Sequence, residues 1–125
     1  MPVLPELVSK EWENKEDAVV FTTVDQNGCP NSIYATCVAI NGEDKIVIAN
    51  NYFDKTMKNI SSGSKGSILF ITKKGNAYQI KGSIEYHTDG PIFENMKLWN
   101  PKEHPGKGAA VVNVEEVYSG AKKLL

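Results

Sequence analysis

Residues 31–56, NSIYATCVAINGEDKIVIANNYFDKT, contain two apolar runs joined by an Asn-Gly pair. Side chains of a strand alternate between two faces, so residues 32–40 place Ile33 and Ala35 opposite Tyr34 and Thr36. Asn41-Gly42 is typical of a tight hairpin turn, and residues 45–50 supply a second strand. The stretch therefore predicts an antiparallel hairpin, followed by a helix over about residues 54–62.

The rest of the chain repeats this pattern of strands joined mainly by turns. We predict further strands at 18–24, 67–72, 77–87 and 108–118, and short helices after Pro5 and Asp89. Regular alternation of strand and helix is missing, and several strands are apolar on both faces. These features predict a mainly β fold with a few short helices, a six-stranded antiparallel barrel in which residues 1–125 form a single domain.

Charge and composition exclude several classes of partner. The formal net charge is −1, and all fourteen basic residues are lysines. Tyr78 and Tyr86 share an apolar strand face opposite Lys81, a pattern that favours core packing over base stacking. We therefore expect no nucleic-acid partner. Without arginine, any anion site must use lysines, hydroxyl groups and backbone N–H groups.

The same residues argue against a metal centre and a membrane location. Cys29 and Cys37 form no CxxC pair, and His87 and His104 lack the spacing of metal ligands. No apolar run approaches the roughly twenty residues of a membrane span, and the first residues do not resemble a signal peptide. We expect a soluble, cytoplasmic protein without a metal site. Motifs of nucleophilic catalysis and nucleotide binding are absent, so no catalytic side chain is assigned.

Asp54-Lys55-Thr56 at the predicted helix start allows two interpretations. Asp54 is a good capping residue, and Lys55 is compatible with simple exposure to solvent. Alternatively, Lys55, the Thr56 hydroxyl and free helix N–H groups bind a phosphate. A capping Asp54 carboxylate would repel that phosphate, so the second interpretation requires Asp54 to point away or to pair with a lysine. The residues alone slightly favour the cap.

The order of these pieces resembles a known family. The strand pair of 31–50, the NYFDKT segment, YQIKGSIEYHTDGPIFE (78–94) and AAVVNVEEV (109–117) occur in this order. The set resembles the FMN-binding split-barrel family related to pyridoxamine 5′-phosphate oxidase, especially its small single-domain FMN-binding proteins. The resemblance extends from about Ala18 to Val117.

The resemblance implies a six-stranded split barrel that forms a homodimer with one FMN per subunit near the interface. Strand residues would lie along the flavin ring and ribityl chain, residues after the next strand would line the cofactor, and Lys55 and Thr56 would hold the phosphate. The implied cofactor-binding residues are Ser32, Ile33, Tyr34, Ala35, Thr36, Ala49, Asn50, Asn51, Lys55 and Thr56.

Three functional hypotheses follow from the resemblance and the composition. The first is an FMN flavoprotein that transfers electrons or reduces a small acceptor, with a small-molecule or protein redox partner. The second is an FMN enzyme with a specific substrate, such as a flavin reductase or an oxidase. The lack of arginine argues against oxidation of pyridoxamine phosphate itself. The third is a cofactor-free barrel used for binding or assembly.

Overall fold

The computed structural model describes residues 2–125, which form three helices and eight strands. The helices are α1 (Glu6–Trp12), α2 (Lys55–Ser61) and α3 (Gly90–Trp99). The strands are β1 (Val19–Val24), β2 (Pro30–Ala35), β3 (Val38–Asn41), β4 (Lys45–Asn50), β5 (Gly66–Ile71), β6 (Ala77–His87), β7 (Gly108–Ser119) and β8 (Lys122–Lys123). Within this part of the chain, no helix is long and apolar enough to cross a membrane.

All eight strands belong to one antiparallel sheet with the order β2-β1-β5-β6-β7-β4-β3, and β8 pairs with β7. The two edge strands, β2 and β3, are consecutive in sequence, with only Thr36 and Cys37 between them. The sheet therefore curls until its two edges meet where the chain crosses from β2 to β3. This curled sheet with a gap between its edges is the expected mainly β, split-barrel fold.

The strand count differs from the six that the sequence predicts. Residues 32–40 are not one strand, because β2 ends on β1 with the pair Ala35↔Val19 and β3 starts on β4 with Val38↔Ile48. Ile33 and Ala35 pack on the core before the break, and Val38 and Ile40 pack on it afterwards. The core-facing positions thus change from odd to even residues, which an unbroken strand does not allow. The short β8 is the other addition.

The apolar side chains form two clusters that explain why some strands are apolar on both faces. The larger cluster fills the inside of the curled sheet and includes Phe21, Ile48 and Ile80. The smaller one lies outside β4 and β7, where Met96 of α3 packs on Val47 and other strand residues. Helix α3 therefore covers the outer face of β4 and holds the loop that follows α3 beside the end of this strand.

Candidate functional site

A first cleft lies where edge strand β2 faces the chain that follows β4. It has a volume of about 270 Å³. Its lining residues come from three separate segments: Ile33, Tyr34, Ala35, Thr36, Cys37, Ala49, Asn51, Tyr52, Phe53 and His104. The wall is largely apolar and aromatic and, within the described residues, holds no carboxylate.

A second cleft of about 440 Å³ follows the first along β2, between the β1–β2 turn and helix α2. It is lined by Asp25, Gln26, Asn27, Cys29, Pro30, Asn31, Lys55, Lys58, Asn59 and Ser62. Asn31 lines the second cleft and Thr36 the first, a separation of five residues, or about 16 Å at the usual rise of a strand. The two clefts thus form an elongated site with a largely apolar end and a lysine-bearing end.

The edge of β2 supplies backbone hydrogen-bonding groups to this site. The N–H of Asp25 donates to the Cys29 carbonyl over 3.0 Å at the turn, which fixes the phase of the ladder with β1. In an antiparallel pair, every second residue exchanges hydrogen bonds with its partner. The N–H groups of Ser32 and Tyr34 therefore point away from β1, as expected at a sheet edge.

Buried amides fix the wall of the first cleft. Asn51 and Asn100 exchange two side-chain hydrogen bonds of 3.0 and 2.9 Å, and the Gly106 N–H donates to the Asn51 Oδ1 atom over 2.9 Å. Asn50 donates to the Tyr86 hydroxyl over 2.8 Å and accepts from the Phe53 N–H over 3.0 Å. The Asn51 bonds anchor the loop between α3 and β7 to the end of β4, and the Asn50 bonds fix that end against β6.

Tyr52 and His104 form a pair at the rim of the first cleft. The Tyr52 Oη atom lies 3.1 Å from His104 Nδ1, and the two rings meet edge to face at 5.6 Å between centroids. Tyr52 is 70% exposed, whereas the backbone on both sides of it is tied down by Asn50 and Asn51. The pair joins the two walls that Asn51 also connects.

The three side chains of the Asp54-Lys55-Thr56 segment differ in their exposure and contacts. The Asp54 side chain makes no capping hydrogen bond with α2 and lies 3.9 Å from Lys58. Lys55 is exposed at the second cleft. Thr56 is only 1% exposed, and its hydroxyl accepts a 3.2 Å hydrogen bond from the Asn31 side chain. Asp54 thus pairs with a lysine, which is the condition that a phosphate at this place requires.

The structure distributes the predicted cofactor residues over both clefts and beyond. Six line the first cleft: Ile33, Tyr34, Ala35, Thr36, Ala49 and Asn51. Lys55 lines the second, whereas Ser32, Asn50 and Thr56 line neither. Ser32 instead lies 2.7 Å, oxygen to oxygen, from the Thr22 hydroxyl. That these residues bind a cofactor stays a prediction.

Several lining residues are absent from the predicted set. Tyr52 and Phe53 directly follow the predicted Asn51, so a longer predicted segment would have included them. His104 lies more than fifty residues away, in a loop without a local motif. Long-range contacts place it at the cleft, among them the pairing of Asn51 with Asn100 and Gly106.

The chemistry of the two clefts fits the two parts of FMN. Ile33, Ala35 and Ala49 offer apolar surface for a flat ring, and the β2 edge offers N–H donors for ring carbonyls. Lys55 supplies a positive charge at the second cleft, and Lys58, which also lines it, offsets the Asp54 carboxylate. The Asp25 carboxylate there is engaged by the backbone N–H groups of Asn27 and Cys29, at 2.8 and 2.9 Å.

Comparison with known proteins identifies the family. The family model described as pyridoxamine 5′-phosphate oxidase matches residues 8–120. The uncharacterized protein MJ0282 of Methanocaldococcus jannaschii is 31% identical over 122 residues, which cover 93% of this chain and 80% of that protein. The chain therefore belongs to the pyridoxamine 5′-phosphate oxidase family.

Solved structures share the fold at lower sequence identity. HupZ from Group A Streptococcus has a TM-score of 0.80 and 22% identity, with 93% of each chain covered. An FMN-binding protein from Syntrophomonas wolfei has a TM-score of 0.73 and 22% identity, with 90% of this chain and 94% of that chain covered. At this identity, the comparison establishes the fold of the chain.

Proposed function

We propose that the protein binds FMN along the two clefts and acts in electron transfer or in flavin-dependent reduction of a small acceptor. The observation that carries the proposal is the elongated site itself, with a carboxylate-free apolar end and a lysine-bearing end. A bound flavin would supply the redox chemistry. The family and the FMN-binding protein of the same fold support this choice of cofactor.

In this proposal, each wall has a defined task. Ile33, Ala35 and Ala49 pack against the ring, and the outward N–H groups of β2 donate to its polar atoms. Lys55 binds the phosphate, while the buried Thr56 fixes Asn31 next to it. Each charge-assisted hydrogen bond to a phosphate contributes about 1.5–3 kcal/mol.

We further propose that the protein is a homodimer. Tyr34 of β2 is 81% exposed and lies opposite Val20 of β1. Val20 in turn lies opposite the exposed Leu69 of β5. This row of apolar side chains lies on the outer sheet face beside the first cleft. A second copy covering it would also shield the flavin ring. Sedimentation at micromolar concentration should give twice the chain mass, and a monomer would contradict the dimer.

The direct test of the cofactor is titration of the ligand-free protein. Proteins of this fold include one named F420 reductase and HutZ, named the heme storage protein, from Vibrio cholerae. FMN, riboflavin, F420 and haem should therefore be compared by quenching of intrinsic fluorescence and by difference absorbance. We expect FMN to bind most tightly. Preference for haem or F420, or binding of none of the four, would overturn the proposal.

Turnover separates a carrier from an enzyme. With FMN bound, the rate of NADH or NADPH oxidation should be measured in the presence of a small acceptor. Slow turnover with both nicotinamides, together with rapid reoxidation by a redox partner, is expected of an electron carrier. Rapid turnover would favour the second candidate, a flavin reductase or oxidase with its own substrate.

A further inference from the structure

Within residues 2–125, His104 is the one basic side chain that lines the first cleft. None of the fourteen lysines lines it, and the chain has no arginine. The other titratable lining groups are Tyr34, Cys37 and Tyr52, which carry no positive charge in either protonation state. Within a single copy of residues 2–125, positive charge beside a ligand in this cleft therefore comes from His104.

The contacts of His104 hold its ring in place in both protonation states. The Tyr52 hydroxyl, 3.1 Å from Nδ1, can donate to a neutral imidazole and accept from a protonated one. The His104 backbone N–H donates to the Pro101 carbonyl over 3.0 Å. Asn51 fixes the same loop through Gly106. Protonation can thus change the charge at the cleft without moving the ring.

The other groups around His104 leave this charge largely uncompensated. His104 also lines a third cleft, to which the segment before β1 contributes Lys15 and Asp17. These two charges are opposite in sign. Trp99 of α3 and the Cys37 thiol also line that cleft, and neither supplies a positive charge.

We propose that His104, held by Tyr52, balances the negative charge of the reduced flavin ring. This role rests on the proposed binding of FMN. When two electrons and one proton reach the ring, it becomes an anion, and neutral His104 takes up a second proton from solvent. The sum is two electrons and two protons, one proton on the ring and one on His104. Histidine is suited to this because it titrates near neutral pH, and charge near the ring is a known means of tuning a flavin.

The test counts protons during reduction of the FMN-loaded protein. Dithionite supplies the electrons, and the slope of midpoint potential against pH between about 7.5 and 8.5 gives the protons taken up per two electrons. We expect close to two protons for wild type, with the absorbance spectrum of an anionic reduced flavin. His104→Asn should take up one proton, and at pH 8 it should favour reduced over oxidised FMN less than wild type does, on the order of tenfold, or about 1.4 kcal/mol.

Two variants separate charge from shape. His104→Lys carries a permanent charge, so it should take up one proton but keep the wild-type preference for reduced FMN. His87→Asn removes the chain's other histidine, which pairs with Glu85 outside the cleft, and should behave as wild type.

The remaining outcomes separate the role of His104 from the binding of FMN. One proton in wild type, a neutral reduced spectrum or an unchanged His104→Asn variant would overturn the role of His104 alone. Failure of wild type to bind FMN would overturn the proposed function and this role with it.

Discussion

The first and second clefts differ in what holds their walls. In the first cleft, residues from three segments are joined by the buried Asn51–Asn100 pair and by the Tyr52–His104 contact. In the second, a surface turn faces two exposed lysines, with Thr56–Asn31 among its inner contacts. The first cleft therefore has a fixed shape, whereas the second presents charge. In the proposed function, the first cleft orients the flavin ring and the second recognises its phosphate.

The largest effect is expected from Asn51→Leu, which keeps the side-chain volume but removes the amide. Asn100 and the Gly106 N–H then lose their partners, and we expect the free energy of unfolding to fall by about 2–4 kcal/mol. FMN and riboflavin should both bind more weakly and by the same factor, because the cleft wall itself is displaced. Urea denaturation and ligand titration measure the two effects.

A matched control is Asn76→Ala, which removes an exposed amide that donates to Glu11. Its stability should stay within about 0.5 kcal/mol of wild type, as for most surface substitutions. If Asn51→Leu were equally harmless, the amide pair would not fix the wall. A loss confined to FMN would place its effect on the phosphate instead.

The second prediction concerns Lys55→Ala. Because the exposed lysine contributes charge and little packing, FMN should bind about tenfold more weakly, equivalent to about 1.4 kcal/mol. Riboflavin affinity and stability should be unchanged, since riboflavin has no phosphate. Added salt should weaken FMN binding less in the variant than in wild type. Lys73→Ala, a lysine outside both clefts, serves as control.

A third, smaller effect is expected from Thr56→Val, which keeps the side-chain volume and removes the hydroxyl that Asn31 donates to. Stability should fall by about 1 kcal/mol, and FMN affinity by about threefold, because Asn31 loses its orientation. Thr56→Ser retains the hydroxyl and should keep the FMN affinity of wild type. Equal FMN losses in the two variants would show that packing, and not the hydrogen bond, is what matters.

The sequence predicted the fold class because local signals were consistent with it. Alternation, the Asn41-Gly42 turn and the apolar runs identified most strands, and the resemblance supplied their closure into a split barrel. The break at Thr36-Cys37 was not predicted, because alternation continues through it in the sequence while the pairing partner changes. A change of partner is a long-range event that leaves no local pattern.

The candidate site was predictable only where its walls are close in sequence. Ile33 and Ala49 lie within one short stretch of sequence and meet where β2 faces the end of β4, so both could be assigned from that stretch. Ser32 could not be separated from Tyr34 by alternation, since they share a strand face and differ only in position along the sheet edge. His104 reaches the cleft through a buried amide pair, and no pattern of residues 100–107 records that contact.

The smallest expected effect concerns Glu85, a carboxylate that lines neither cleft. A hydrogen bond from Asn113 over 2.8 Å, with His87 in support, holds the pKa of Glu85 below its ordinary value. Its folded pKa is therefore below its unfolded pKa, so its contribution to stability is present above the unfolded pKa and is lost as pH falls through the folded one. The side chain is about half exposed, which limits the contribution to about 0.5 kcal/mol.

Between about pH 5 and pH 3, the free energy of unfolding should therefore fall less in Glu85→Gln than in wild type, by about 0.5 kcal/mol. Urea denaturation at each pH measures this difference. The exposed Glu94 of α3 provides a control, since Glu94→Gln should leave the curve unchanged. FMN affinity at acid pH should be the same in Glu85→Gln and wild type, because Glu85 lines neither cleft. A change in that affinity would mean that β6 is coupled to the site, and the division of tasks between the two clefts would then be incomplete.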